Sequence, residues 1–295
     1  MKRKTPQEIK TVTLPLSIPV YSYLLDHHLD GKVILPAVEI LRHLAVSVLS
    51  YVPSVNVRFI SNASFDRFLL IEAGASSIIA ANELIFHEDG LVSSKLITEG
   101  KLKGGIRRTK EHASICFPGV GSPITEMQTD IVTALEGNCF QISAQRLYSE
   151  LVPFGPAFHT IKDTVTFSEN GAVARLRAPD FPGALEPLGS PFPFDGALHA
   201  ACAWCQRFCG IVAFPVGFDE RVIVKPIVPG EVTICRMVPT SVHKGVIRFD
   251  IWLHDQEGIL REMAKGVAMR DVAGGRMTPP AWVRSKSGIK MECVN

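Results

Sequence analysis

The sequence has little excess charge, no long apolar run and no even cysteine framework, and each absence closes a class of function. Across 295 residues the formal net charge is only +2, so the chain lacks the clustered basic surface of a nucleic-acid binder. Its one basic run, KLKGGIRRTK at 101–110, reads as a solvated loop. The opening MKRKTPQEIK carries the charges of a secretion signal without an apolar core, and Pro15 and Pro19 break the stretch TVTLPLSIPV behind it. Neither a signal peptide nor a membrane span is expected, which points to the cytoplasm. Seven cysteines form an odd set without framework spacing, as reduced thiols would. There is no GxGxxG, no P-loop and no GxSxG elbow, so no nucleotide cofactor and no serine-nucleophile site is implied.

What is present describes a globular chain of one large domain or two ordinary ones. The sequence is 46% hydrophobic and 20% charged, which excludes disorder on any large scale. Its 20 prolines and 23 glycines predict many turns between strands.

Two segments resemble one another. IFHEDGLVSSKLITEGKL starts at Ile85 and IWLHDQEGILREMAKGVAM at Ile251, each an apolar run, a turn closed by Gly90 or Gly258, and a second partly alternating run. That is the reading of a β-hairpin. A helix is expected before each. Pro36 opens AVEILRHLAVSVLSYV, where Ala37, Leu41, Leu44 and Val48 recur at helical spacing. Asp195 precedes GALHAACAWCQRFCG, apolar nearly all round, with Gly210 as its stop. Gly90 and Gly258 are 168 residues apart and the helix openings 159, so the order of elements repeats with loops of different length.

A helix apolar on every side must be wrapped, and strand-like runs follow both helices. The chain therefore reads as α+β, a tandem hot-dog fold in which two antiparallel sheets each wrap a central helix. The expected units are 1–137 and 138–273, joined through the loop at 117–123, with 274–295 as a poorly ordered tail.

Three segments carry chemistry. His27, Gly31 and Pro36 stand in the pattern HxxxGxxxxP. Leu147, Tyr148 and Leu151 precede Phe154-Gly155-Pro156-Ala157-Phe158-His159. Asp195 and His199 stand in the pattern DxxxH. In order and spacing these resemble the HxxxGxxxxP, LYxxL, YGPxFQ and DxxxQ/H signatures of the dehydratase domains of polyketide synthases and related fatty-acid synthases, over roughly 15–272. The resemblance implies removal of water from a 3-hydroxyacyl thioester, with His27 as base and Asp195 as acid at an interface between the two halves. It further implies that the Gly31 N–H faces the thioester carbonyl and that His199 orients Asp195. The substrate would be carried by acyl carrier protein or coenzyme A, with no cofactor or metal. Family members often pair, which leaves a homodimer open, and a chain opening at Met1 suits a discrete enzyme working in trans.

The residue types fit that chemistry. A histidine stays neutral near pH 7 and accepts a proton, while an acid must keep its own proton, which an apolar pocket favours by raising its pKa. Asp195 and His199, four apart, share one helical face. Phe154 departs from the family's tyrosine and has no hydroxyl to donate; His159 replaces the usual glutamine.

Plainer readings stand beside these. His28 falls outside the pattern and reads as structural. Asp195 alone would read as an N-cap. Cys202, Cys205 and Cys209 share one face of an apolar helix and read as core rather than zinc ligands. The same histidine–aspartate pair would also serve a double-bond isomerase or a product-template-like cyclase, and a decayed pair would leave an acyl-binding protein.

Overall fold

The computed structural model describes residues 8–101, 107–119, 134–180, 185–285 and 290–292. The first half runs through β1 (Glu8–Pro19), the two-residue strands β2 (His28–Leu29) and β3 (Lys32–Val33), and α1 (Ala37–Tyr51). It continues with β4 (Phe59–Ser64), β5 (Ser77–His87), β6 (Val92–Lys101) and β7 (Arg107–Phe117). The second half has β8 (Asn138–Ser143), α2 (Ala144–Arg146), β9 (Ile161–Ser168), β10 (Gly171–Arg177) and α3 (Phe192–Trp204). Then come β11 (Phe214–Ile223), β12 (Val232–His243), β13 (Val246–His254), β14 (Leu260–Arg270), α4 (Ala281–Arg284) and β15 (Lys290–Glu292).

Apart from β2 and β3, the described strands form one sheet of 13 in the order β1-β5-β6-β7-β4-β11-β14-β13-β12-β10-β9-β8-β15. β4 and β11 pair antiparallel at its middle, and outward from them the connectivity of one half repeats that of the other. Ala37 and Phe192 open the helices, Phe59 and Phe214 open β4 and β11, and Ser77 and Val232 open β5 and β12; each pair is 155 residues apart. The hairpins at Gly90 and Gly258 both form, yet they are not counterparts. The turn equivalent to Gly90 is at Gly245, between β12 and β13. Alternating hairpins look alike in sequence, and only the pairing order separates them; with the correct match the uneven loop lengths disappear.

α1 packs on β1, β5 and β6, α3 on β9 to β13, and the helices touch each other. Leu41, Leu44, Ala45 and Val48 of α1 are fully buried, and all of α3 is buried. Each large apolar side chain so enclosed contributes about 1.5–3 kcal/mol. Pro15 and Pro19 do not break the N-terminal stretch: both lie in β1, which among the described strands is an edge strand paired with β5 alone, where a missing N–H costs no ladder bond on the open side.

Three further expectations need correction. The segment from 274 is not a loose tail where it is described, because Val283 in α4 is fully buried. The Arg207 Nη1 donates to the carbonyls of Val283 and Ser285 at 2.6 Å each, and Arg146 stacks 3.5 Å from the Trp282 ring centroid. Five described cysteines are free thiols, but Cys139 is disulfide-bonded, so the reading of seven reduced thiols fails there. Pro36 is the N-cap of α1 rather than its first turn. The loop at 117–123 lies beyond 119 outside the described residues, and so do residues 102–106 of the basic run, whose flanks end β6 and begin β7. No helix among the described residues is long and apolar enough to cross a membrane.

Candidate active site

His27 follows a 3₁₀ turn (Ser22–Asp26) and precedes the β2–β3 ribbon. Asp30 and Gly31 close that ribbon with φ of 49° and 71°, the two positive values that a tight hairpin turn requires and glycine supplies at no steric cost. The ribbon folds Ile34 back onto His27. The Ile34 N–H donates to the His27 carbonyl at 2.9 Å, and the His27 Nδ1 lies 2.9 Å from the Ile34 carbonyl oxygen. A carbonyl only accepts, so Nδ1 carries the proton and Nε2 is left with its lone pair. Burial pushes the His27 pKa down, against the opposing pull of Asp195, which keeps the imidazole neutral.

Asp195 is neither at the start of its helix nor an N-cap. α3 begins three residues earlier, at Phe192, behind Pro191 and with Pro193 in the first turn. Proline at the opening of a helix is the signal that marks this start. Asp195 therefore points from the first turn into the interior, where its Oδ2 lies 2.9 Å from the His199 Nε2. The approach lacks hydrogen-bond directionality, and neither atom has another partner.

Behind it, the Tyr148 hydroxyl accepts the N–H groups of Thr160 and Ile161 at 3.1 Å each and lies 3.4 Å from the His199 Nδ1. Two accepted hydrogen bonds occupy the hydroxyl's lone pairs, so its proton goes to Nδ1 and Nε2–H faces Asp195. Burial acts to raise the Asp195 pKa, yet the charges of His199 and then His27 overcome it and hold the carboxyl below its usual range. The expected raised value is thus not found, because the partner four residues on counteracts the apolar pocket. The part of that pull due to His27 is absent while His27 is neutral, and burial works toward the protonated acid.

Both groups face one cavity of about 190 Å³. The first half lines it with His27, Ile34, Leu35, Ile40, Phe65 and Leu69, and the second with Leu151, Phe154, Asp195, Leu198, His199, Cys202, Val212 and Met269. Phe154 lies between the two imidazoles, its ring centroid 4.3 Å from His27 and 5.1 Å from His199. Of the other residues singled out in sequence, Tyr148 stands behind His199, Gly155 and Pro156 begin the turn after Phe154, and Pro36 caps α1. None of these four lines the cavity, and neither does Gly31. Gly31 thus answers to its backbone angle rather than to close approach of a ligand.

His28, which falls outside the signature, lines the cavity rather than serving only a structural part, as do His112 and Met277. His112 sits in β7 with its Nε2 2.8 Å from the Thr98 hydroxyl, and a lone histidine in an alternating strand gives no signal of that place. Cys202 is also on the wall, while burial raises its thiol to about 11; the core reading of the cysteines otherwise stands. Among the described residues no cluster suited to a metal ion occurs.

Residues 141–279 match the sequence model described as the polyketide synthase dehydratase N-terminal domain. Comparison with curated protein sequences gave no match. Among solved structures, the chain resembles the dehydratase domain of RzxB from Pseudomonas fluorescens at TM-score 0.66 and 13% identity, covering 87% of this chain and 94% of that one. An N-terminal dehydratase from the difficidin assembly line gives TM-score 0.68 at 13% identity, with 89% and 94% covered. The dehydratase domain from the CurJ module of curacin polyketide synthase gives 0.66 at 16%, with 90% and 94% covered. The fold is therefore the α+β double hot dog of dehydratase domains. Within that fold, residues 141–279 are similar in sequence to the polyketide synthase dehydratase family.

Proposed function

We propose that this chain is a hydro-lyase that removes water from a 3-hydroxyacyl thioester and leaves the 2-enoyl thioester. One observation carries the reading: His27 from the first half and Asp195 from the second line a single apolar cavity, with the His27 Nε2 free of a proton. His27 takes the proton beside the thioester carbonyl. The C3–O bond breaks, and the departing hydroxyl takes a proton from Asp195, which His199 and Tyr148 hold in place. The proton on His27 then returns to Asp195, so the cycle closes without net proton change. Such acid–base help is worth about 10²–10⁴-fold for each group. A solved relative described as an inactive histidine-to-phenylalanine mutant of CurJ dehydratase fits a histidine base.

The position matching Asp195 in the first half is Ile40, and that matching His199 is Leu44. The repeat therefore supplies the acid pair once, and one active site is proposed for units 1–137 and 138–273. A Gly31 N–H role toward the carbonyl belongs to the proposal only if the β2–β3 turn moves toward the bound thioester. Acyl carrier protein in polyketide synthesis is the proposed carrier, with coenzyme A and fatty-acid synthesis as the other arm. A cytoplasmic setting is supported by the free thiols at Cys116, Cys202, Cys205, Cys209 and Cys235 and opposed by the disulfide at Cys139, and a homodimer is compatible because each chain holds both halves of the site. Turnover of one 3-hydroxyacyl group on carrier protein and on coenzyme A, followed by mass spectrometry, tests this. Faster loss of water from the carrier-bound form is expected, and a double-bond shift or cyclisation without loss of water would replace the reading.

A further inference from the structure

Asp26 stands immediately before His27 in the chain, and nothing in the signatures marks it. Its backbone carbonyl accepts the Gly155 N–H at 2.8 Å, and its carboxylate Oδ2 accepts the Ala157 N–H at 2.8 Å. The short 3₁₀ turn Pro156–Phe158 has no side-chain cap of its own; a carboxylate from the other half of the molecule caps it instead. The fit leaves no room for adjustment, because a Cβ at Gly155 would lie 2.3 Å from the Asp26 Cγ. Gly155 has an ordinary φ of −72°, so what requires glycine there is the approach of Asp26.

The segment held in this way supplies two rings around the imidazole. Phe154 and Phe158 lie 4.3 and 5.1 Å from the His27 ring centroid, and Phe158 is 1% exposed. The chain thus fixes His27 from two directions. Ile34 holds Nδ1 from the first half, and Asp26 draws residues 154–158 of the second half against the ring. We propose that Asp26 is a positioning residue for His27, clamping that segment so that the Nε2 lone pair faces the acyl slot. The inference rests on the dehydration reading for its kinetic consequence, whereas its geometric consequence is independent of turnover.

The test uses the full chain with Asp26→Ala, Asp26→Asn and Gly155→Ala. Asp26→Ala should lower kcat about 10- to 100-fold, the cost of a misplaced catalytic group, with KM within about threefold of wild type. Asp26→Asn keeps an acceptor for the Ala157 N–H and should recover most of the rate. Gly155→Ala, which forces a methyl group onto Asp26, should reproduce the loss and carries the test if Asp26→Ala does not fold. Imidazole ¹⁵N spectra report the ring directly, and Asp26→Ala should weaken the single Nδ1–H form of His27. If folded Asp26→Ala keeps kcat within about twofold of wild type, or keeps the wild-type imidazole spectrum, the proposal is overturned. If wild type itself releases no water, the dehydration reading fails, and the imidazole spectra alone decide the role of Asp26.

Discussion

Phe154 packs its ring 4.3 Å from that of His27 at an interplanar angle of 31°, where the related signature has tyrosine. The ring screens the imidazole from water and contributes to the burial that lowers its pKa. Phe154→Ala should therefore lower kcat at least about tenfold and move the acid limb of the pH–rate profile up toward the ordinary histidine value, about 6.5. Phe154→Tyr preserves the ring and should leave that limb in place. Steady-state rates across pH check both.

The same burial sets a pH dependence for the wild type. His27 must be neutral to act as base, and its folded pKa lies below its unfolded one. The acid limb of kcat/KM should accordingly fall below about 6.5. Stability should follow the same direction: the contribution of neutral His27 is present above the unfolded pKa and is lost as pH falls through the folded one. Denaturant unfolding of wild type and His27→Gln at several pH values would show it, the difference shrinking under acid conditions.

Tyr148 links the backbone to the acid. Removing its hydroxyl in Tyr148→Phe takes the Tyr148 acceptor from the Ile161 N–H, at about 1–3 kcal/mol for a buried donor left unpaired, while the Thr160 N–H keeps the Phe158 carbonyl at 2.8 Å. It also frees His199 to turn, so kcat should fall beyond what the lost stability explains. Melting temperature and turnover of the folded fraction separate the two effects.

At the C-terminal side, Val283 is fully enclosed and its carbonyl is held by Arg207. Val283→Asp should cost about 3 kcal/mol or more, since an unpaired carboxylate would be buried. Denaturant titration would measure it. Loss of this anchor should also disturb Met277 on the cavity wall, and with it the preference for acyl chain length.

Much of this was legible before the structure because local rules and the global fold agree. Leu41, Leu44 and Val48 mark α1 by spacing, Gly90 and Gly258 mark real hairpins, and His27, Phe154, Asp195 and His199 converge on one cavity. What failed did so for identifiable reasons. In sequence, Asp195 is the more conspicuous helix-start signal, but Pro191 and Pro193 mark the true start of α3 at Phe192. The Gly90–Gly258 match paired two hairpins that only strand order tells apart. The effect of His199 on Asp195 depends on a 2.9 Å contact whose sign is not visible in a spacing of four. Asp26 and Met277 act through contacts far along the chain, which no local pattern records.

The central claim is that one histidine and one aspartate, from different halves, eliminate water across a shared slot. The most direct measurement is mass-spectrometric turnover of a carrier-bound 3-hydroxyacyl thioester by wild type, His27→Ala and Asp195→Asn. The account predicts loss of one water by the wild type and rates about 10²- to 10⁴-fold lower for each variant, with fold retained. Equal rates for all three proteins would contradict it.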